Sequence, residues 1–284
     1  MATPAPSQYV SSRRIGEATV TAIDDGTLRW NPHLQAPEEA RRRAMPEAEP
    51  DGTLTLGCHV AHVRRGAASL LIDTGYDDPS PQFARAHPAF TSSPGVTAGL
   101  ASIGVRPDEI THVLLTHAHG DHFAAATIER GGEPVPRYPR ARYLLGRRDW
   151  EDNPERERAD SPLATQLGPL VRLGVLELVD GERELAPGIT MLSAPGESPG
   201  HMIVRVDSGG ERFYFLGDLF HHPCEVAYPD WVSPGRDREA LRASRERLSA
   251  EAAAAGATLA FTHARFPPWG RIVSADGGYR WEHA

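Results

Sequence analysis

Residues Leu114 to Phe123 read LLTHAHGDHF and place His117, His119, Asp121 and His122 within one short stretch behind an apolar run. On a turn, the two-residue spacing of His117 and His119 aims two imidazoles at one point. Asp121 and His122 then supply a carboxylate and a third imidazole to a second point close by. Divalent ions of borderline softness, zinc above all, accept such a mixture of nitrogen and oxygen donors. One turn cannot complete two coordination spheres, so further ligands are required downstream. His201 in APGESPGHM, Asp218 in FYFLGDLF and His263 in LAFTHARF each stand where a turn follows a strand. Taken singly, each would more often be a capping or core residue. Taken with the upstream turn, they read as a metal set.

Other side chains near these motifs could shape the site. His221, three residues after Asp218, could orient substrate or carry a proton. Phe220, Phe266 and Trp269 could wall an apolar pocket or simply pack the core. Trp30 lies beside a polar segment, where a large aromatic asks for a ligand or partner. His222 reads as structural or surface, and Cys224 as a small buried filler rather than a nucleophile.

The elements that must position these groups follow from periodicity and punctuation. ATVTAIDDGTL reads as a strand, and LTLGCHVAHVRRGAASLLIDTG as two strands joined at Arg64–Gly66. GVTAGLASIGVRPDEI reads as a helix with Gly104 near its end. THVLLTH is a strand and DHFAAATIERGG has a helical composition, which puts the histidine cluster at the carboxyl edge of a sheet. ARYLLG reads as a strand, SPLATQLGPLVRLG as a helix and ITMLSAPG as a strand into a turn. HMIVRVDSGGERFYFLGD has the form of a hairpin around Ser208–Gly210. DREALRASRERLSAEAAAAGA is an amphipathic helix, and ATLAFTHA is a last buried strand. Residues 1–17 read as a flexible head, and residues 31–51 as a long lid loop with one short helix from Pro37 to Ala44. With no repeat and no linker, residues 1–284 read as a single α/β domain.

Composition removes several classes. All thirty basic residues are arginine, so Schiff-base chemistry on a protein amine and the phosphate-loop lysine are excluded. A formal charge of -8 argues against a nucleic-acid surface. Cys58 and Cys224 make no disulfide framework, no apolar run is long enough to span a membrane, and no signal peptide is recognisable. A cytoplasmic enzyme acting on a small molecule, without nucleic-acid or membrane partners, is the expectation.

The ordered motifs LIDTG, THAHGDH, PGESPGH, FLGD and THARFPP resemble the metallo-β-lactamase fold superfamily, over most of the chain from about Ala18 to Val273. The resemblance implies a four-layer αβ/βα sandwich with the metals at the shared edge of two mixed sheets. It implies His117, His119 and His201 on the first metal, Asp121, His122 and His263 on the second, and Asp218 bridging them. Asp73 in LIDTG then either holds a ligand imidazole in its working tautomer or caps the following loop. Two departures stand out: FAAAT follows His122 where the family usually has a glycine pair, and Glu197 stands where a second histidine is often found. The latter is read as leaving the ligand count unchanged while altering the charge nearby.

Two divalent ions, zinc by preference with iron, manganese or cobalt as alternatives, would share a water whose pKa falls until hydroxide exists at neutral pH. That bridging hydroxide would open a lactone, ester or related bond, with Asp121 a proton donor to the leaving group and His221 a catalytic candidate. The stretch GDLFHHPCEVAYPDW with THARFPPWGRI is most similar to the branch holding acyl-homoserine-lactone lactonases and methyl parathion hydrolase. By that analogy a homodimer is expected. Alternatives on the same fold are a thioester hydrolase of glyoxalase II type, a phosphotriesterase and an iron-dependent oxidoreductase.

Overall fold

The computed structural model describes residues 8–284. Two mixed sheets carry the chain. The first runs in the order Val10–Ile15, Ala18–Trp30, Leu54–Arg65, Ala68–Ile72, His112–Leu115, Arg142–Gly146, Leu176–Val179, with Phe90–Ser92 added against Ala18–Trp30. The second runs Arg183–Ala186, Ile189–Ser193, Met202–Ser208, Glu211–Phe215, Thr258–Ala260, Gly270–Ala275, Gly278–His283.

The strands pack as their alternation dictates, because successive side chains leave a strand on opposite faces. Leu114, Phe213, Phe215, Val204 and Val206 point into the core between the sheets. Val113 and Leu115 point outward to meet Val96 and Leu100 of the helix Val96–Ser102. Tyr214 and Ile203 point outward on the other side, against Leu241, Leu248 and Ala252 of the helix Arg238–Ala255. The result is a four-layer αβ/βα sandwich. Asp237 caps that last helix by accepting the amide of Ala240, and Gly256 ends it in the left-handed conformation, φ 57°.

Three expectations need correction. The stretch expected as a flexible head, residues 1–17, contains the edge strand Val10–Ile15, paired with Ala18–Trp30 and exposed at Ser12, Arg13 and Arg14 between buried ends, while residues 1–7 lie outside those described. In DHFAAATIERGG only Gly120–Phe123 is helical; Thr127–Arg130 pairs with Glu133–Pro136 around Gly131 and Gly132, both at positive φ. SPLATQLGPLVRLG forms two short helices, Pro162–Gln166 and Gly168–Arg172, rather than one. Residues 31–51 carry one short helix, Glu38–Ala44, as the sequence suggests, and Leu34 and Met45 are buried with Leu54, Leu56 and Trp231.

Parallel pairing sets the site. Ala68–Ile72 runs parallel to His112–Leu115, and Glu211–Phe215 parallel to Thr258–Ala260. The turns carrying Asp73, His117, Asp218 and His263 therefore all open at carboxyl ends of strands, where the sheets share an edge.

Candidate metal centre

At that edge the side chains converge on Asp218. Its Oδ1 lies 3.3 Å from His122 Nε2. Its Oδ2 lies 3.2 Å from His263 Nε2, 3.4 Å from His221 Nε2 and 3.6 Å from His117 Nε2. Gly217 makes this approach feasible: it sits at φ 52°, and a Cβ there would fall 2.8 Å from Thr116 Cβ and 2.9 Å from His201 Nε2. Asp121 Oδ2 stands 3.6 Å from His122 Nε2 and 3.5 Å from His263 Nε2. Three groups of donor atoms lie close enough to grip a cation: His117, His119, Glu197 and Asp218; His122, Asp218 and His263; and Cys58, Asp121 and His263.

Neighbours fix the imidazoles. Asp73 accepts the Thr116 amide at 2.7 Å and lies 2.8 Å from His122 Nδ1, so the proton on Nδ1 is donated to it and the Nε2 lone pair faces the cluster. His263 Nδ1 donates to the Gly57 carbonyl at 2.7 Å, which frees its Nε2 in the same way. His201 differs. Its Nδ1 donates to the Ala194 carbonyl at 3.1 Å and its Nε2 accepts the Asp218 amide at 3.1 Å. The structure brings Glu197, rather than His201, into the group with His117 and His119.

Electrostatics match this wiring. Burial, with the neighbouring His122 and His119, drives the His117 pKa well down, and burial takes that of His201 to about 3. Burial also opposes charge on His122 and His263, but Asp218, helped by Asp121 and Asp73 for His122 and by Cys58 for His263, raises both well above the ordinary value. Asp218, despite its burial, is held well below the usual carboxylate range by His263, His122 and His221. Without a cation, the carboxylates of the cluster thus favour the protonated forms of His122 and His263.

Further residues shape the site, and two of them, Asp149 and Arg236, stand in none of the sequence motifs above. Asp149 accepts the amides of Ala118 and Gly200 and the Ser198 hydroxyl, tying the histidine turn to the Glu197 turn. Its place just beyond the parallel strand Arg142–Gly146 was the available clue. Arg236 pairs with Glu197 Oε1 at 2.7 Å. Cys58 is buried, its thiol pushed up to about 12 by burial. Trp30 ends its strand with its ring 5.0 Å from that of His221, and His221 stacks on His263 at 5.3 Å. Phe220 and Trp269 are core residues, and Phe266 packs against the core beside His59. His222 binds Glu47 at 2.6 Å, tying the 31–51 segment to the turn after Asp218. A cleft of about 580 Å3 opens beside His263, lined by Leu54, Leu56, Glu47, His222 and Arg265.

A family model described as the metallo-beta-lactamase superfamily matches residues 55–263. A probable metallo-hydrolase of Mycobacterium tuberculosis is 26% identical over 195 residues, spanning 60% of this chain. The chain spans only 58% of that relative's length. An N-acyl homoserine lactonase of Bacillus cereus is 23% identical over 227 residues, 74% of this chain and 84% of that one. Among solved structures, the hydrolase AbOPH of the beta lactamase superfamily superposes with a TM-score of 0.81 at 22% identity, covering 97% of each chain. The dizinc quorum-quenching lactonase AidC, in complex with an acyl-homoserine product, superposes with a TM-score of 0.77 at 18% identity, again over 97% of each chain.

Proposed function

The chain belongs to the metallo-β-lactamase superfamily, and on that premise we propose that it is a dinuclear metal-dependent hydrolase opening a lactone or ester bond in a small molecule. The observation that carries this reading is the buried carboxylate of Asp218, with imidazoles ranged about both its oxygens.

The residues present suit a cation pair. His122 Nε2 and Asp218 Oδ1 are buried, 3.3 Å apart and without a hydrogen-bond partner. With Nδ1–H committed to Asp73, a neutral His122 turns a lone pair toward an oxygen lone pair, a conflict that a proton relieves when no cation is bound and a cation would relieve in the loaded cluster. His117, His119 and Asp218 would hold one cation; Asp121, His122 and His263, with Asp218 between, would hold the other. Zinc suits this nitrogen and oxygen set, as do other first-row divalent ions. Such cations supply Lewis acidity toward the substrate oxygen and the attacking water.

The protein's own groups do the rest. Asp73 and the Gly57 carbonyl hold the His122 and His263 rings in the tautomer that presents Nε2. Glu197 and Asp218 raise the His221 pKa against the cost of its burial, and its Nε2, 3.4 Å from Asp218 Oδ2 at the cluster, is the group assigned to donate a proton to the leaving-group oxygen. The Asp121 carboxylate is the alternative carrier of that proton. Leu54 and Leu56 give the cleft beside His263 an apolar side suited to an acyl chain, Glu47 and Glu49 of the 31–51 segment line it too, and Trp30 packs against the His221 ring. The similarity to N-acyl homoserine lactonases supports a lactone as the bond attacked.

A hydrolysis panel tests this with zinc-, manganese- and cobalt-loaded protein against acyl-homoserine lactones, aryl esters, phosphotriesters and lactoyl-glutathione. A lactone or aryl ester should turn over fastest, and Asp218→Ala should abolish activity while lowering metal content. Turnover of the thioester alone would refute the bond assigned. Iron near one equivalent with oxygen consumption would refute hydrolysis altogether.

A further inference from the structure

We propose that Glu197, and not His201, completes the first metal position, which makes it a site of two imidazoles and two carboxylates. The inference rests on the metal-centre reading above and concerns which side chain of the GESPGH turn serves it.

Three observations carry it. First, the His201 ring has no free nitrogen: one donates to the Ala194 carbonyl and the other accepts the Asp218 amide. A neutral imidazole has one N–H and one lone pair, so both are spent, and the ring is fully buried with no room to turn. Its role is to hold the Asp218 backbone in place. Second, Glu197 supplies a donor atom within 4.8 Å of those of His117, His119 and Asp218, with its Oε1 3.5 Å from His119 Nδ1. Third, Arg236 engages only Oε1, through both Nε and an Nη, and leaves Oε2 buried without a partner. A buried carboxylate with one oxygen left unsatisfied is costly, and a cation held by that carboxylate would lower the cost.

The substitution changes the ion the site prefers. Exchanging an imidazole for a carboxylate hardens the donor set and adds a negative charge, which favours manganese(II) or iron(II) relative to zinc. Arg236 offsets part of that charge.

Metal binding to the full-length protein decides the matter. Purified wild type, Glu197→Gln, Glu197→His and His201→Gln are stripped, reloaded with zinc or manganese alone, and compared by elemental analysis and by the visible spectrum of the cobalt form. Circular dichroism of the stripped proteins checks their folding. Wild type and His201→Gln should each retain about two metal ions, since glutamine can still accept the Asp218 amide, whereas Glu197→Gln should retain about one. Glu197→His should recover both and shift the zinc-over-manganese preference by about tenfold or more toward zinc. Should Glu197→Gln fail to fold, the preference shift in Glu197→His carries the test. Two ions of unchanged affinity in Glu197→Gln, with loss of one in His201→Gln, would overturn this assignment and leave the metal-centre reading standing. A wild type that binds no metal would overturn both.

Discussion

The Glu225 carboxylate and the Arg245 guanidinium meet at 2.9 Å with 1% of each side chain exposed, directly beneath the turn that carries His221. Glu225 also accepts the backbone amides of His221 and His222, and Arg245 donates to the carbonyls of Leu219 and Trp231. The pair anchors the entire segment after Asp218. Removing one partner strands a buried charge, so Arg245→Ala should cost about 3–5 kcal/mol in denaturant unfolding. The double change Glu225→Gln with Arg245→Met should recover much of that loss. A single-variant cost below about 1 kcal/mol would show that the pair is not structural.

Asp73 acts on the cluster through His122. It also accepts the amide and hydroxyl of Thr116, so Asp73→Asn disturbs both the ring and the turn before His117. Metal affinity measured by chelator competition should fall about 10–100-fold. An unchanged affinity would reduce Asp73 to a turn cap.

Metal uptake should release protons. His122 and His263 are both held protonated well above the ordinary histidine value when no cation is present. A cation must displace those protons, so apparent affinity rises with pH and weakens as the medium acidifies. Calorimetry at neutral pH in buffers of different ionisation enthalpy should show release of between one and two protons per protein. A heat independent of buffer would contradict the protonated cluster.

Asp25 gives the fold a pH dependence of its own. It is buried in the bulge of Ala18–Trp30, where it accepts the amides of Tyr76 and Asp77, and desolvation by burial raises its pKa from 3.8 to about 7. Between those values the folded state holds a proton that the unfolded chain has released, so stability falls as pH rises through that window. The loss amounts to at most about 4 kcal/mol. Asp25→Asn should flatten the decline in melting temperature between pH 5 and pH 8, provided the amide oxygen keeps both backbone bonds. An equally steep decline in the variant would place its origin elsewhere.

Much of this molecule can be read from local pattern. Alternation places Leu114 inward and Val113 outward without any knowledge of the partner sheet, and the Ser208–Gly210 turn fixes its hairpin register. Where pattern misled, composition had been read as conformation. AAATIERGG looks helical, yet its glycine pair supplies the positive φ of a two-residue turn and a short hairpin results. Phe220 and Trp269 could equally have faced a pocket or the core, because apolarity alone does not say which surface a side chain meets.

The sequence by itself marked His117, His119, Asp121, His122, His201, Asp218 and His263 as one set, through motifs that each place a polar side chain where a turn follows a strand and that together resemble a known family. Only the tertiary structure shows that the His201 lone pair faces the Asp218 amide while Glu197, four residues before it on one turn, stands with His117 and His119. Spacing brings a ring near a cluster, but whether its lone pair is free depends on which backbone amide, here that of Asp218 in the turn after the next hairpin, has already taken it.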